Sequence, residues 1–276
     1  MSRFCLTTKR FVAVAAVASM SFLSACSNNS DDGAAATSDP AETSTSEAAA
    51  PVDEVTIYLT RHGKTWLNTV DRVQGWSDSP LTDAGAEVAT KLGEGLKESG
   101  QQFDAAYSGD MVRHFSTASL ILEGMGSDLE ITRMPELREI SFGAFEGMLN
   151  SEAIEIILKH AGFESLEDVA TDGRSPVLAL AEYFKDANPD PSLPAESPAD
   201  VAERAKGALD KIAADEGAKG HDEVLVVTSG MTVQIILEEL GYEGAVDIKN
   251  ASITTLVYSD GQWTIEGVND TSLIDG

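Results

Sequence analysis

Cysteine is almost absent. The 276 residues hold 2, Cys5 and Cys26, both near the N-terminus. Beyond Cys26 no disulfide, thiolate nucleophile or cysteine-ligated metal can form. Basic residues are also scarce, with 19 Lys and Arg against 46 Asp and Glu and a formal net charge of -27. Nucleic acid and anionic lipid headgroups both need a basic face, so neither is expected as a partner. A phosphate ester stays compatible, because a few converging arginines can make a local positive pocket on an acidic body. No apolar run reaches the roughly 20 residues of a membrane span, and no internal repeat is visible.

The N-terminus has the pattern of an export signal. Arg3, Lys9 and Arg10 precede a short apolar stretch, Phe11 to Leu23, as in a secretory signal peptide. It ends in Leu23-Ser24-Ala25-Cys26, which resembles a bacterial lipobox. Residues 1–25 are therefore expected to be a lipoprotein signal peptide, with Cys26 acylated and the chain lipid-anchored to the cell membrane, facing outside the cytoplasm. An ordinary signal peptide with a chance cysteine, or an uncleaved anchor, is the alternative. Residues 26–52 are acidic and rich in Ser, Thr and Ala, with almost nothing to bury, which predicts a disordered linker. As a random coil it would reach about 25–30 Å. Residues 53–276 are long enough for one substantial domain.

Within that domain, hydrophobic periodicity predicts strands at 55–60, 103–108, 129–133, 223–228, 253–258 and 262–268. Helices are expected at 82–99, 113–122, 151–160, 176–184, 200–214 and 232–240. Strands alternating with helices imply an α/β fold, a sandwich with a mostly parallel central sheet. Ligands of such sheets sit beyond the carboxyl ends of the strands. Three segments converge there: Thr60-Arg61-His62, Ser108-Gly109-Asp110 and Thr228-Ser229-Gly230.

The first of them carries the strongest chemical signal. A histidine at a strand end can act as a nucleophile, and the adjoining guanidinium can hold the phosphate it attacks. Thr65, Asn68, Arg72, Gln74, Gly75, Asp78, Pro80, Leu81, Thr82 and Gly85 follow Arg61-His62-Gly63 in order. Further on stand Tyr107 to Arg113, then Leu137 to Gly143 with Glu146-Gly147, and finally Asn250 to Thr254. These segments resemble the histidine phosphatase (phosphoglycerate mutase-like) superfamily over essentially all of 52–272. The resemblance implies a three-layer α/β/α sandwich and a phosphohistidine formed on His62. It implies that Arg61 and Arg113 hold the phosphoryl group and that Glu139 donates and accepts the proton. Thr65, Asn68, Gln74, Gly75, Ser229 and Gly230 would bind phosphate, with no metal and no cofactor. About residues 146–198 would form a lid, with Met148, Leu149, Phe163, Tyr183 and Phe184 as an apolar cover.

The chain departs from the family pattern at Ser229, where a second histidine is usual. A serine can donate one hydrogen bond to a phosphate oxygen but cannot become cationic. Losing such a donor costs roughly 10²–10³ in rate. The expected function is a metal-independent phosphomonoester hydrolase acting on a small phosphorylated substrate. The alternatives are a binding protein for phosphorylated ligands and a phosphoglycerate mutase-type phosphotransferase. The remaining histidines are not expected as phosphate ligands. His114 follows Arg113 on a helix, where adjacent side chains diverge. His160 ends a helix, and His221 lies at the opposite end of the strand from Ser229.

Overall fold

The computed structural model describes residues 51–169 and 175–274. The expected signal peptide, Cys26 and nearly all of the expected linker lie outside them. The elements run β1 (Glu54–Arg61), α1 (Trp66–Thr69), α2 (Asp83–Ser99), β2 (Ala105–Ser108), α3 (Val112–Met125) and β3 (Ile131–Arg133). They continue with α4 (Asn150–Ala161), α5 (Pro176–Ala181), α6 (Phe184–Ala187), α7 (Pro198–Gly217), β4 (Glu223–Thr228), α8 (Gly230–Glu239), β5 (Ile253–Ser259) and β6 (Gln262–Asp270). The strands form one sheet in the order β3-β2-β4-β1-β5-β6. β3, β2, β4 and β1 are mutually parallel, and β5 and β6 extend the sheet antiparallel.

Alternation along each strand creates the two buried faces. Val55, Ile57 and Leu59 of β1 join Val224 and Val226 of β4 in a core completed by Val201, Leu209 and Ile212 of α7 and Ile236 of α8. Leu225 and Val227 of β4 face the other way, toward Leu92 and Leu96 of α2 and Ile121 of α3. The result is an α/β sandwich with helices on both faces of the sheet.

The helices start where their caps dictate. Thr82 caps α2 by accepting from Gly85 N–H, and Gly100 ends it in the left-handed region at φ 82°. Ser197 and Asp200 form a reciprocal capping box for α7. Pro198 occupies the first turn, so this helix begins two residues before the stretch that periodicity predicts. The helix expected at 176–184 is instead two short ones, α5 and α6, joined across Glu182 and Tyr183.

Register brings the site together. β1 runs parallel to β4 with Arg61 opposite Thr228, so His62 and Ser229 leave the sheet side by side. β2 runs parallel to β4 with Ser108 opposite Val227, which sets Gly109 next to the same edge.

Candidate active site

His62 is 4% exposed. Its Nδ1 lies 2.8 Å from Gly63 O. A carbonyl only accepts, so Nδ1 carries the ring proton and Nε2 keeps its lone pair. Burial, then the charges of Arg113 and Arg61, hold the imidazole well below the usual histidine range. The ring is therefore neutral at physiological pH, the form that can attack phosphorus. Asn250 Nδ2 donates to His62 O at 2.8 Å and Thr117 Oγ1 accepts from Gly63 N at 3.0 Å, so the backbone on both sides is pinned.

Arg113 is fully buried. Its guanidinium donates to Gly75 O at 2.6 Å, Ser77 O at 3.1 Å and Asp78 Oδ1 at 3.0 Å. Asp110, three residues before it, forms a two-pronged ion pair with Arg138 instead, at 2.5–2.6 Å. Arg61 donates to Ile248 O. Burial lowers both guanidiniums from their usual value, opposed by the charge of Asp78 and Glu139 at Arg113 and of Glu139 and Asp247 at Arg61.

Four buried side-chain nitrogens have no partner among the described residues: Arg61 Nε, Arg113 Nε, Gln74 Nε2 and His114 Nδ1. Buried donors are almost always satisfied, and all four belong to this site. Three of them, on the arginines and Gln74, can only donate. Such a set suits an anion with many acceptor oxygens, and phosphate is one.

Glu139 is 6% exposed and caps α8. Its carboxylate accepts from Met231 N at 3.1 Å, Thr232 N at 3.0 Å, Thr232 Oγ1 at 2.9 Å and Ile140 N at 3.0 Å. It closes the stretch Glu136 to Glu139. Arg204 holds the same stretch from behind, donating to the carbonyls of Glu136, Arg138 and Glu139 while gripping Glu196.

The expected phosphate contacts divide. Gln74 keeps an unpartnered Nε2, while its Oε1 accepts from Thr65 Oγ1 at 2.5 Å and from Asn68 Nδ2 at 3.3 Å. Thr65 and Asn68 are a reciprocal capping box for α1, so the Thr65 hydroxyl is used up inside the protein. Gly75 is also a correction. Its N–H donates to Glu146 and its carbonyl accepts from Arg113, leaving neither for phosphate. Its role is spatial, since a β-carbon there would lie 2.1 Å from Ile140 O. Gly230 opens α8, and a β-carbon on it would press on Arg61 Nε at 3.1 Å.

Sequence reasoning missed two supports. Glu146 accepts from the amides of Gly75, Trp76, Ser77 and Phe142 at 2.7–3.0 Å, and so shapes the loop whose carbonyls hold Arg113. The second is His114. It is expected only not to be a phosphate ligand, and the structure brings it to the site: it is fully buried, its ring centroid lies 5.5 Å from that of His62, and its Nε2 lies 2.6 Å from Ser229 Oγ. The signal was present in the helical period, for His114 shares the inward stripe of α3 with Ala118, Ile121 and Leu122. His221 stands as expected at the far end of β4, 2.6 Å from Glu216, and His160 lies in the last turn of α4.

Beside the site lies a cavity of about 490 Å³ lined by Asn68, Arg72, Phe142, Ile154, Phe184 and Met231, among others. Of the five residues expected as an apolar cover, Phe184 lines it. Met148, Phe163 and Tyr183 pack instead against the main core. Among the described residues no group of three His, Cys, Asp or Glu could hold a metal ion, and no helix is long and apolar enough to cross a membrane.

This constellation has known counterparts. Residues 57–271 match the model of the histidine phosphatase superfamily (branch 1), and the chain belongs to that family. It is similar to a probable phosphoglycerate mutase of Proteus mirabilis, at 30% identity over 220 residues, spanning 76% of this chain and 88% of that one. A crystal structure of phosphoglycerate mutase from Bacillus anthracis superposes with a TM-score of 0.74 at 37% identity, covering 82% of this chain and 97% of that one. Phosphoserine phosphatase from Entamoeba histolytica shares the fold, with a TM-score of 0.58 at 21% identity. The family's chemistry, phosphoryl transfer through a phosphohistidine, is thus the chemistry of this site.

Proposed function

We propose that this protein is a metal-independent phosphomonoesterase that forms its phosphohistidine on His62 and is tethered outside the cytoplasm through lipid on Cys26. One observation carries the catalytic part. A neutral imidazole with a free Nε2 sits among buried guanidinium nitrogens that lack partners. In this reading Nε2 of His62 attacks phosphorus and the bond to the ester oxygen breaks. Arg61 and Arg113 spread the charge on the equatorial oxygens. Glu139 gives the leaving oxygen its proton and then takes one from the attacking water, which releases phosphate and restores His62.

The neighbouring cavity favours hydrolysis over the mutase reading that the relatives' names suggest. A mutase must hold a second anionic group, yet Arg72 is the only cation among the described lining residues, and Asp71 stands next to it. A single phosphate on a largely apolar leaving group suits that lining better.

The test is release of phosphate from a chromogenic monoester by the full chain, beside His62→Ala, with the phosphoenzyme trapped by rapid quench. An acid-labile, alkali-stable phosphoenzyme lost in His62→Ala supports the reading. Binding of inorganic phosphate without turnover of any monoester would leave a phospho-ligand receptor in its place. Cys26→Ala tests the tether, because it should move the protein from the membrane fraction to the soluble one.

A further inference from the structure

Ser229 sits at the position that caps α8, yet its side chain makes no capping hydrogen bond. Glu139 takes the amides of the first turn instead. The Ser229 hydroxyl is directed elsewhere, to His114 Nε2 at 2.6 Å, and both side chains are fully buried.

The opposite ring atom of the imidazole, His114 Nδ1, has no partner. Burial, then the charges of Arg113, His62 and Arg138, keep the ring neutral by holding it well below the usual histidine range. A neutral ring carries one proton. Orphaned buried N–H groups are rarer than orphaned acceptors, so the proton belongs on Nε2, where the Ser229 oxygen can accept it. The hydroxyl hydrogen is then free to point onward, and a hydroxyl that accepts one hydrogen bond becomes a better donor of the next.

The space for this ring is itself specific. A β-carbon on Gly109 would lie 2.1 Å from His114 Nδ1. Only glycine at the end of β2 leaves room for an imidazole at the start of α3.

We propose that His114 and Ser229 form a positioning pair in which His114 Nε2–H donates to Ser229 Oγ and so aims the Ser229 O–H at an oxygen of the phosphoryl group carried by His62. This rests on the phosphohistidine reading above. The pair transfers no proton and forms no covalent bond; its contribution is one oriented donor at the position where the family usually carries a second histidine.

Binding of orthovanadate, measured by calorimetry on the full chain, tests the pair independently of turnover. Ser229→Ala and His114→Ala should each weaken orthovanadate about 10-fold or more and lower kcat by a similar factor. The double variant should be no worse than either single one within about 2-fold, because the two groups act as a unit. His114→Gln, whose Nε2–H can reach the same oxygen, should stay within about 3-fold of wild type. Nitrogen-15 spectra of the wild type should show the Nε2–H tautomer of His114.

Unchanged orthovanadate binding in Ser229→Ala, additive losses in the double variant, or an Nδ1–H tautomer would overturn the pair. So would an acid-stable phosphoserine at Ser229, which would make the serine a nucleophile. If His114→Ala does not fold, loss in Ser229→Ala with retention in His114→Gln still decides in favour, and loss in His114→Gln decides against. A wild type that binds orthovanadate but hydrolyses no monoester would end the phosphatase reading while the affinities still judge the pair. A wild type that binds none would end both.

Discussion

The strand-end site and the cavity beside it are built on opposite principles. At the strand ends, charged and polar groups drawn from six distant stretches are buried and mutually fixed. Arg113 is held by three oxygens, Glu139 accepts four hydrogen bonds, and Glu146 gathers four amides. Around the cavity the lining is mostly uncharged, and a residue such as Val177 remains 46% exposed. Phe184 packs edge-on against Phe142 and Phe145 at centroid distances of 4.8 and 5.3 Å. The contrast separates two tasks. Stabilising transferred charge requires donors that do not reorganise, whereas accepting a leaving group requires little more than apolar volume.

On that division the largest losses lie at the strand ends. His62→Ala should lower kcat by at least about 10³-fold in a steady-state assay, since the one other histidine of the site, His114, has its Nε2 engaged by Ser229. Residual activity within 10-fold of wild type would place the nucleophile elsewhere. Arg113→Ala should cost about 10²–10³ in kcat/KM. Arg113→Lys should recover little, because a single ammonium cannot span Gly75 O, Ser77 O and Asp78 as the planar fork does.

Around the cavity the first effect should be on stability. Phe184→Ala removes a ring that is 5% exposed and should destabilise the fold by about 3–5 kcal/mol in denaturant unfolding. A smaller effect links the regions through pH. His62 and His114 both have folded-state values lowered below the unfolded value of about 6.5. Their contribution to stability is complete above that pH. It is lost as pH falls, because the unfolded chain takes up protons that the folded one refuses, at about 1.4 kcal/mol per pH unit for each ring. His114→Gln should reduce the proton uptake on unfolding near pH 5.5 by one, measured from the pH dependence of stability. The smallest effect is expected at the rim. Val177→Asp should raise KM several-fold for a monoester with an apolar leaving group and leave kcat and the melting temperature nearly unchanged; an equal fall in kcat would mean that the cavity acts on the chemistry itself.

Much of the site was legible because its residues occur as contiguous strings at strand ends. Arg61-His62-Gly63, the Arg113 segment and the Glu139 segment can each be placed once the strands are recognised, since a parallel sheet brings its carboxyl ends to one edge. Partners were not legible. Nothing in the string around Arg113 says that its guanidinium is held by Asp78 rather than Asp110, or that the Gly75 amide is taken by Glu146. Those choices depend on how a loop folds back over another loop, which local pattern does not encode.

His114 marks the boundary most clearly. The sequence by itself determined the order of strands and helices, the two faces of the sheet and the residues at its carboxyl edge, because period and capping are local properties. Adjacency on a helix argued only that Arg113 and His114 would not both bind phosphate. In three dimensions α3 enters the site by its first turn, where neighbouring side chains reach different walls of the same crevice. Arg113 turns to the 75–78 loop and His114 to Ser229. Only the tertiary structure could decide this, because the space for the imidazole is left by a missing side chain just past the end of β2, at Gly109.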